Sequence, residues 1–311
     1  MHRKHIKRLI KFKPTYNLVK ASKRIILPGF EGLSLYIVTK FFFHGLRNGA
    51  LNMRASSLAF SFFLALFPSI IFAFTLIPYI PIEHFQLSLF KLLQNILPKS
   101  AFIATEDTIL DIIKKQRSGL LSLGFLSALY FSTNGFNALI NAFNETYHQI
   151  ETRNFLMQRL VSLVMVIVNT LMIGIAISLI IFSEIGLHKI IHTSTIAYYS
   201  IVFGKWIILF VLSFCLISFN YYMGPKIKKG WRFFSAGSTF STVFIVIASL
   251  LFSYYVNNFG KYNKLYGSIG TLIVVMMWIY INSLILLLGF DLNASIHSAK
   301  RNLGKLLKIK S

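Results

Sequence analysis

The stretch that decides the fold is IGTLIVVMMWIYINSLILLL, Ile269 to Leu288. It passes through twenty positions without a charged side chain, and its apolar residues do not alternate with polar ones. A helix of about 20 residues reaches about 30 Å, the thickness of a bilayer's hydrocarbon core. A lipid-spanning strand would need alternation over about ten residues. A helix also satisfies every backbone N–H and C=O within its own segment, as lipid demands. Outward from this run, five more of the same kind appear. The six predicted spans are 58–80, 119–141, 160–183, 200–223, 234–256 and 269–295. Composition agrees: of 311 residues, 55% are hydrophobic and 13% charged, with a mean hydropathy of +0.66. A soluble domain carries about 25% charged residues. The predicted class is an all-α integral membrane protein, a bundle of six transmembrane helices.

Charge sets the direction. The chain has 32 Lys+Arg against 9 Asp+Glu. Twelve of the basic residues precede residue 55, and five lie in 300–310. With the N-terminus inside, 23 fall on the inner side and 8 in outer loops, with Lys205 near a span end counted on neither, so the positive-inside rule predicts both termini in the cytoplasm. The chain then divides into a basic arm over 1–32, a membrane domain over 33–297 and a basic tail over 298–311. Residues 1–25 lack an apolar core and cleavage site, so no signal peptide is expected. Leu33, Ile37, Phe41 and Leu51 can share one face opposite Lys40, His44 and Arg47, which predicts a helix in the inner interface before span one. The alternative is a plain extension of span one. In the first outer loop, Glu106–Lys115 reads as helical.

Ionisable residues inside a membrane are costly and mark partners or function. Asp291 lies near the inner end of span six, where a carboxylate opposes the helix dipole and needs a cation or a helix that continues past it. Arg54 stands at the same depth on span one. The two are predicted to pair, either as a clamp or as part of a mechanism. Span two carries Ser127, Tyr130, Asn134, Asn137 and Asn141 at spacings that share a face. Buried amides need partners. The stripe is therefore either interhelical glue or one wall of a polar path, with Asn282 and Asn293 of span six opposite. Pro68 interrupts span one. Gly174/Ser178 and Gly237/Ser241 are small pairs suited to close helix contact.

These same segments carry a resemblance. Arg54-Ala55-Ser56-Ser57-Leu58-Ala59-Phe60 followed by Leu66-Phe67-Pro68 resembles the first-span signature of the YihY / virulence factor BrkB family. Tyr266-Gly267-Ser268-Ile269-Gly270, Trp278-Ile279-Tyr280 and Leu288-Gly289-Phe290-Asp291-Leu292-Asn293-Ala294 resemble its last-span signature. The resemblance covers about 35–297. It implies a bacterial inner-membrane protein with about six spans. Where the family often has Glu, this chain has Asp291, one methylene shorter. The resemblance also brings an old label, ribonuclease BN, widely regarded as a misassignment.

Enzyme chemistry finds little support. No H-E-x-x-H, Walker A or G-x-S-x-G pattern occurs. A ribonuclease would need clustered acids or histidines on the inner side. Glu184, His188 and His192 have helical spacing but read as solvated groups at an outer boundary. A single cysteine, Cys215, excludes an internal disulfide. No catalytic residue, metal or other cofactor is expected. The basic termini fit anionic lipid headgroups better than nucleic acid. With few intramembrane charges and 31 Phe and 14 Tyr, the functional expectation is a transporter-like envelope protein for a lipidic or amphipathic cargo. The alternative is a membrane scaffold for envelope partners or lipids.

Overall fold

The computed structural model describes residues 20–27, 29–48, 50–76, 78, 110, 118–146, 153–190, 195–226, 233–259 and 262–310. Among the described residues the longer elements are all helices: α1 Leu35–Asn48, α2 Leu51–Leu76, α3 Ser118–Asn144, α4 Phe155–Ile190, α5 Thr195–Met223, α6 Ala236–Phe259 and α7 Tyr262–Lys310. The predicted helix over Glu106–Lys115 lies outside the described residues, Leu110 excepted.

Among the described residues, five helices are long and apolar enough to cross a membrane, over Leu51–Phe72, Phe155–Ile180, Tyr199–Met223, Ala236–Tyr255 and Leu272–Asn302. The predicted second span, α3, has the length at 27 residues. Its Ser, Thr and Asn content lowers its hydropathy, so it stands apart from the other five. The first of these apolar segments begins at Leu51, ahead of Arg54, and the last runs on to Asn302. Arg54 and Asp291 are buried against each other, so neither helix has to stop at that charge.

The chain forms two compact units, one of 1–59 with 137–311 and one of 60–136. In the smaller, α2 and α3 meet through glycines. A side chain at Gly124 would touch the Phe72 backbone at 3.4 Å, and one at Gly135 would press the Phe62 ring at 3.1 Å. Phe62 stands edge-on to Phe136 at 5.7 Å. Helix α2 continues through Pro68, and the following Ser69 hydroxyl donates to the Ala65 carbonyl at 2.7 Å.

In the larger unit α7 packs on α6 and α1, and α5 packs on α4 and α6. The α6–α7 crossing is the tightest. A Cβ at Gly237 would collide with the Gly289 carbonyl, and a Cβ at Gly289 would collide with the Ser241 hydroxyl. Gly237/Ser241 is thus the contact its spacing predicted. Gly174/Ser178 is not. Nothing lies within 4 Å of a side chain at Gly174, and the Ser178 hydroxyl donates to Gly174 of its own helix at 2.8 Å. Small residues permit close approach, but a facing helix must arrive to use it.

α1 is a helix of its own. Ala50, with φ 45°, breaks the path between it and α2, which excludes the plain extension of span one. Ahead of it, Gly29 (φ 86°), Glu31 (φ 53°) and Gly32 (φ 82°) turn the chain so that Phe30 and Leu33 bury against Ile296 and Ala299 of α7. Left-handed backbone is cheap for the glycines and strained for Glu31. The Lys300 ammonium holds the Glu31 carboxylate at 2.5 Å.

Candidate functional site

The first turn of α2 brings Arg54 to Asp291 of α7. The Arg54 Nη2 donates to Asp291 Oδ2 at 2.7 Å and Nη1 to Oδ1 at 3.3 Å, with both side chains 3% exposed. Nη1 also donates to the Ala142 carbonyl at 2.9 Å. That carbonyl is one of the last four of α3 and has no partner within its own helix. The guanidinium therefore neutralises a buried carboxylate and caps a helix whose C-terminal dipole favours a cation. The carboxylate also gains the helix continuation it needed, because α7 runs on to Lys310.

An aromatic cluster sits beside this pair in sequence. Phe143 and Phe290 stack at 4.0 Å, and Tyr221 meets both edge-on at 5.7 Å. Gly224 leaves room for them, since a side chain there would reach the Phe143 ring at 2.6 Å. The Tyr221 hydroxyl bonds Ser241 at 2.6 Å and donates to the Leu286 carbonyl at 2.5 Å. A buried tyrosine needs such a partner.

The predicted polar residues divide by partner. Asn137 and Asn141 of α3 both accept from the Gln158 amide of α4, at 2.6 and 2.7 Å. Asn293 accepts from the Gly237 N–H at 2.7 Å and donates to the Ser235 hydroxyl at 2.8 Å, so it fastens α7 to the start of α6. Asn282 donates to Trp278 of its own helix at 2.8 Å, and its Oδ1 is buried without a hydrogen-bond partner. Asn134 lies half-buried in the smaller unit. Three of the five candidates are thus tied to neighbouring helices, and Asn282 does not join them.

Sequence reasoning missed several groups of equal weight. Asn169 of α4 and Asn220 of α5 exchange reciprocal amide bonds at 3.0 and 2.9 Å. Each is a lone amide in an apolar run, and that isolation was the available signal. Arg153 donates to the carbonyls of Met223, Gly224 and Pro225, at 3.1, 2.5 and 2.6 Å, and so caps the end of α5. Burial lowers its pKa. Asn144 and Thr146, past the end of the stripe, are 8% and 3% exposed, and neither side chain has a hydrogen-bond partner.

No group of three metal-capable side chains occurs among the described residues. His192 lies outside them. A cleft of about 590 Å³ opens where Leu27, Gly29 and Phe30 face Phe234, Ser235, Thr239 and Phe240 at the start of α6. Its walls are mainly apolar, with two hydroxyls. Its size falls within the range of ligand pockets.

Comparison with known proteins follows this geometry. The family model described as virulence factor BrkB matches residues 42–308. A protein of Bacillus subtilis (strain 168), YfkH, whose name calls it ribonuclease-like, is 32% identical over 251 residues, covering 80% of this chain and 90% of its own. UPF0761 membrane proteins also match. That of Mannheimia succiniciproducens (MS0032) is 22% identical over 81% of this chain and 87% of its own. That of Glaesserella parasuis is 23% identical over 63% and 67%. No solved structure matches the chain.

Proposed function

Given that the chain belongs to the virulence factor BrkB family of membrane proteins, we propose that it is a transporter-like protein of the bacterial inner membrane for a lipidic or amphipathic cargo. The observation that carries this reading is the cleft of about 590 Å³ beside the start of α6. Leu27, Phe30, Phe234 and Phe240 offer it hydrocarbon contact, and Ser235 and Thr239 offer two hydroxyls to a polar end. An ion would find little there. A cation path usually needs buried carboxylates, and Asp291 is already neutralised by Arg54. The ribonuclease-like name of YfkH belongs to that protein. For this chain we favour a non-enzymatic role, on the sequence reading alone.

One observation favours the scaffold reading. Asn137, Asn141 and Asn293 spend their amides on neighbouring helices, which is what a static bundle requires.

Lipid movement in proteoliposomes separates the two. A labelled phospholipid is followed between leaflets beside an unrelated six-span control and a Thr239→Trp variant, whose indole would fill the cleft. Movement above the control, lost in the variant, supports transport through the cleft. Well-folded protein without movement removes passive phospholipid transfer and favours the scaffold.

A further inference from the structure

We propose that the outward face of α1 binds an anionic phospholipid, with Lys40 and His44 on the phosphate and Phe43 along the acyl chain. α1 turns Leu35, Ile37, Val38 and Phe41 toward Phe30, Leu33, Ile296 and Ala299. That packing leaves Lys40, Phe43 and His44 exposed, Phe43 at 63%. Lys40 and His44 stand four residues apart and are neighbours on the helix surface. With Phe41 and Phe43 they line a cleft of about 430 Å³.

The spanning helices expose many large apolar side chains, as lipid tails require. This face instead sets the Lys40 ammonium and the His44 imidazole beside an exposed ring. A free phosphate would match Lys40 and His44 and leave Phe43 in water. A phospholipid covers both, since its headgroup carries the negative charge and its chain takes the ring. The segment leading into α1 has the same character. Ile25 and Ile26 are 44% and 59% exposed, and the Lys23 ammonium lies 5.2 Å from the centre of the Tyr36 ring. A backbone bond from the Leu35 N–H to the Ile25 carbonyl, 2.8 Å, fastens that segment to the helix. The two pieces present one surface of apolar side chains edged by cations, which is the composition of a helix lying in a headgroup layer.

The site stands independently of transport, and its test is an equilibrium one. The full chain in neutral detergent is titrated with phosphatidylglycerol or with phosphatidylcholine of the same acyl chains, and bound lipid is counted by native mass spectrometry. The expected result is a preference for phosphatidylglycerol. Lys40→Gln should weaken it about fivefold, the worth of one cation near an anionic headgroup, and His44→Gln should weaken it further. Phe43→Ser should lower affinity for both lipids and leave the preference in place. An unchanged preference in the Lys40→Gln/His44→Gln pair overturns the site. So does an equal loss in Lys226→Gln, an exposed cation elsewhere, which would make the effect a general one of a chain with net charge +23. Displacement of the lipid by inorganic phosphate alone would assign the cations to the free ion instead. Phosphatidylglycerol with a photoreactive chain, applied to the unaltered protein, should label the peptide containing Phe41–Phe43. Label confined to other peptides overturns the proposal without any variant having to fold. A failure of these binding measurements leaves the leaflet-transfer result standing by itself.

Discussion

Arg54 serves Asp291 and the Ala142 carbonyl with one guanidinium, and the two duties can be pulled apart. Arg54→Ala strands a carboxylate that is 3% exposed. Removing one member of a buried pair costs about 3–5 kcal/mol, and a thermal melt in detergent should show it. The double exchange Arg54→Asp/Asp291→Arg restores charge balance but sets a carboxylate against the Ala142 carbonyl. Recovery should therefore be partial, and full recovery would show that the cap contributes little. Asn144 offers the opposite case. A buried amide without partners costs stability, so Asn144→Leu should raise the melting temperature. A fall would show that a bound polar molecule serves the side chain. The pairing of Arg54 with Asp291 was legible in the sequence because two lone charges at one depth must find each other. The carbonyl of Ala142 was not, because a backbone acceptor leaves no trace in residue type.

At the scale of elements, the α6–α7 crossing and the end of α5 carry the clearest consequences. Gly289→Ala places a methyl group against Ser241 and the Gly237 carbonyl. Overpacking of this kind costs about 1–3 kcal/mol or more, whereas Gly174→Ala, which meets nothing within 4 Å, should leave the melting temperature almost unchanged. Arg153→Ala removes three bonds to the carbonyls of Met223, Gly224 and Pro225, at and just past the end of α5. Hydrogen bonds from charged groups contribute about 1.5–3 kcal/mol, so this variant should melt earlier, with protease sensitivity rising first near 223–226. The helices themselves were readable from apolar run length. Gly237/Ser241 and Gly174/Ser178 were equally readable as small pairs, and only one is a contact. Spacing within one helix says nothing about which neighbour lies opposite. The same holds for the α3 stripe, where Asn137 and Asn141 needed Gln158 of another helix before their role had content.

For the whole molecule the open quantity is parity. Among the described residues, five helices pass the length and hydropathy requirements of a span, and α3 carries the polar side chains that set it apart. If α3 also crosses, the two ends of the chain lie on one side of the membrane. Cysteines placed at Lys20 and Asn302, in a chain with Cys215→Ser, should then react from the same side with an impermeant reagent. Reaction from opposite sides would show an odd number of crossings and overturn the six-span reading. By itself the sequence determined the solvent. Long apolar runs with little charge can satisfy their backbones only as helices in lipid, and that conclusion needs no knowledge of neighbours. It also determined which groups had to be partnered, since a buried charge or amide alone is too costly to keep. Only the tertiary structure decided who the partners are: Asp291 and Ala142 for Arg54, Gln158 for two asparagines, Ser235 and Gly237 for Asn293. It also decided that a cleft opens beside Ser235, where the start of α6 meets Leu27 and Phe30. The reason is physical. Hydrophobicity acts on each segment separately, whereas a hydrogen bond or a crossing needs two segments brought together in one geometry.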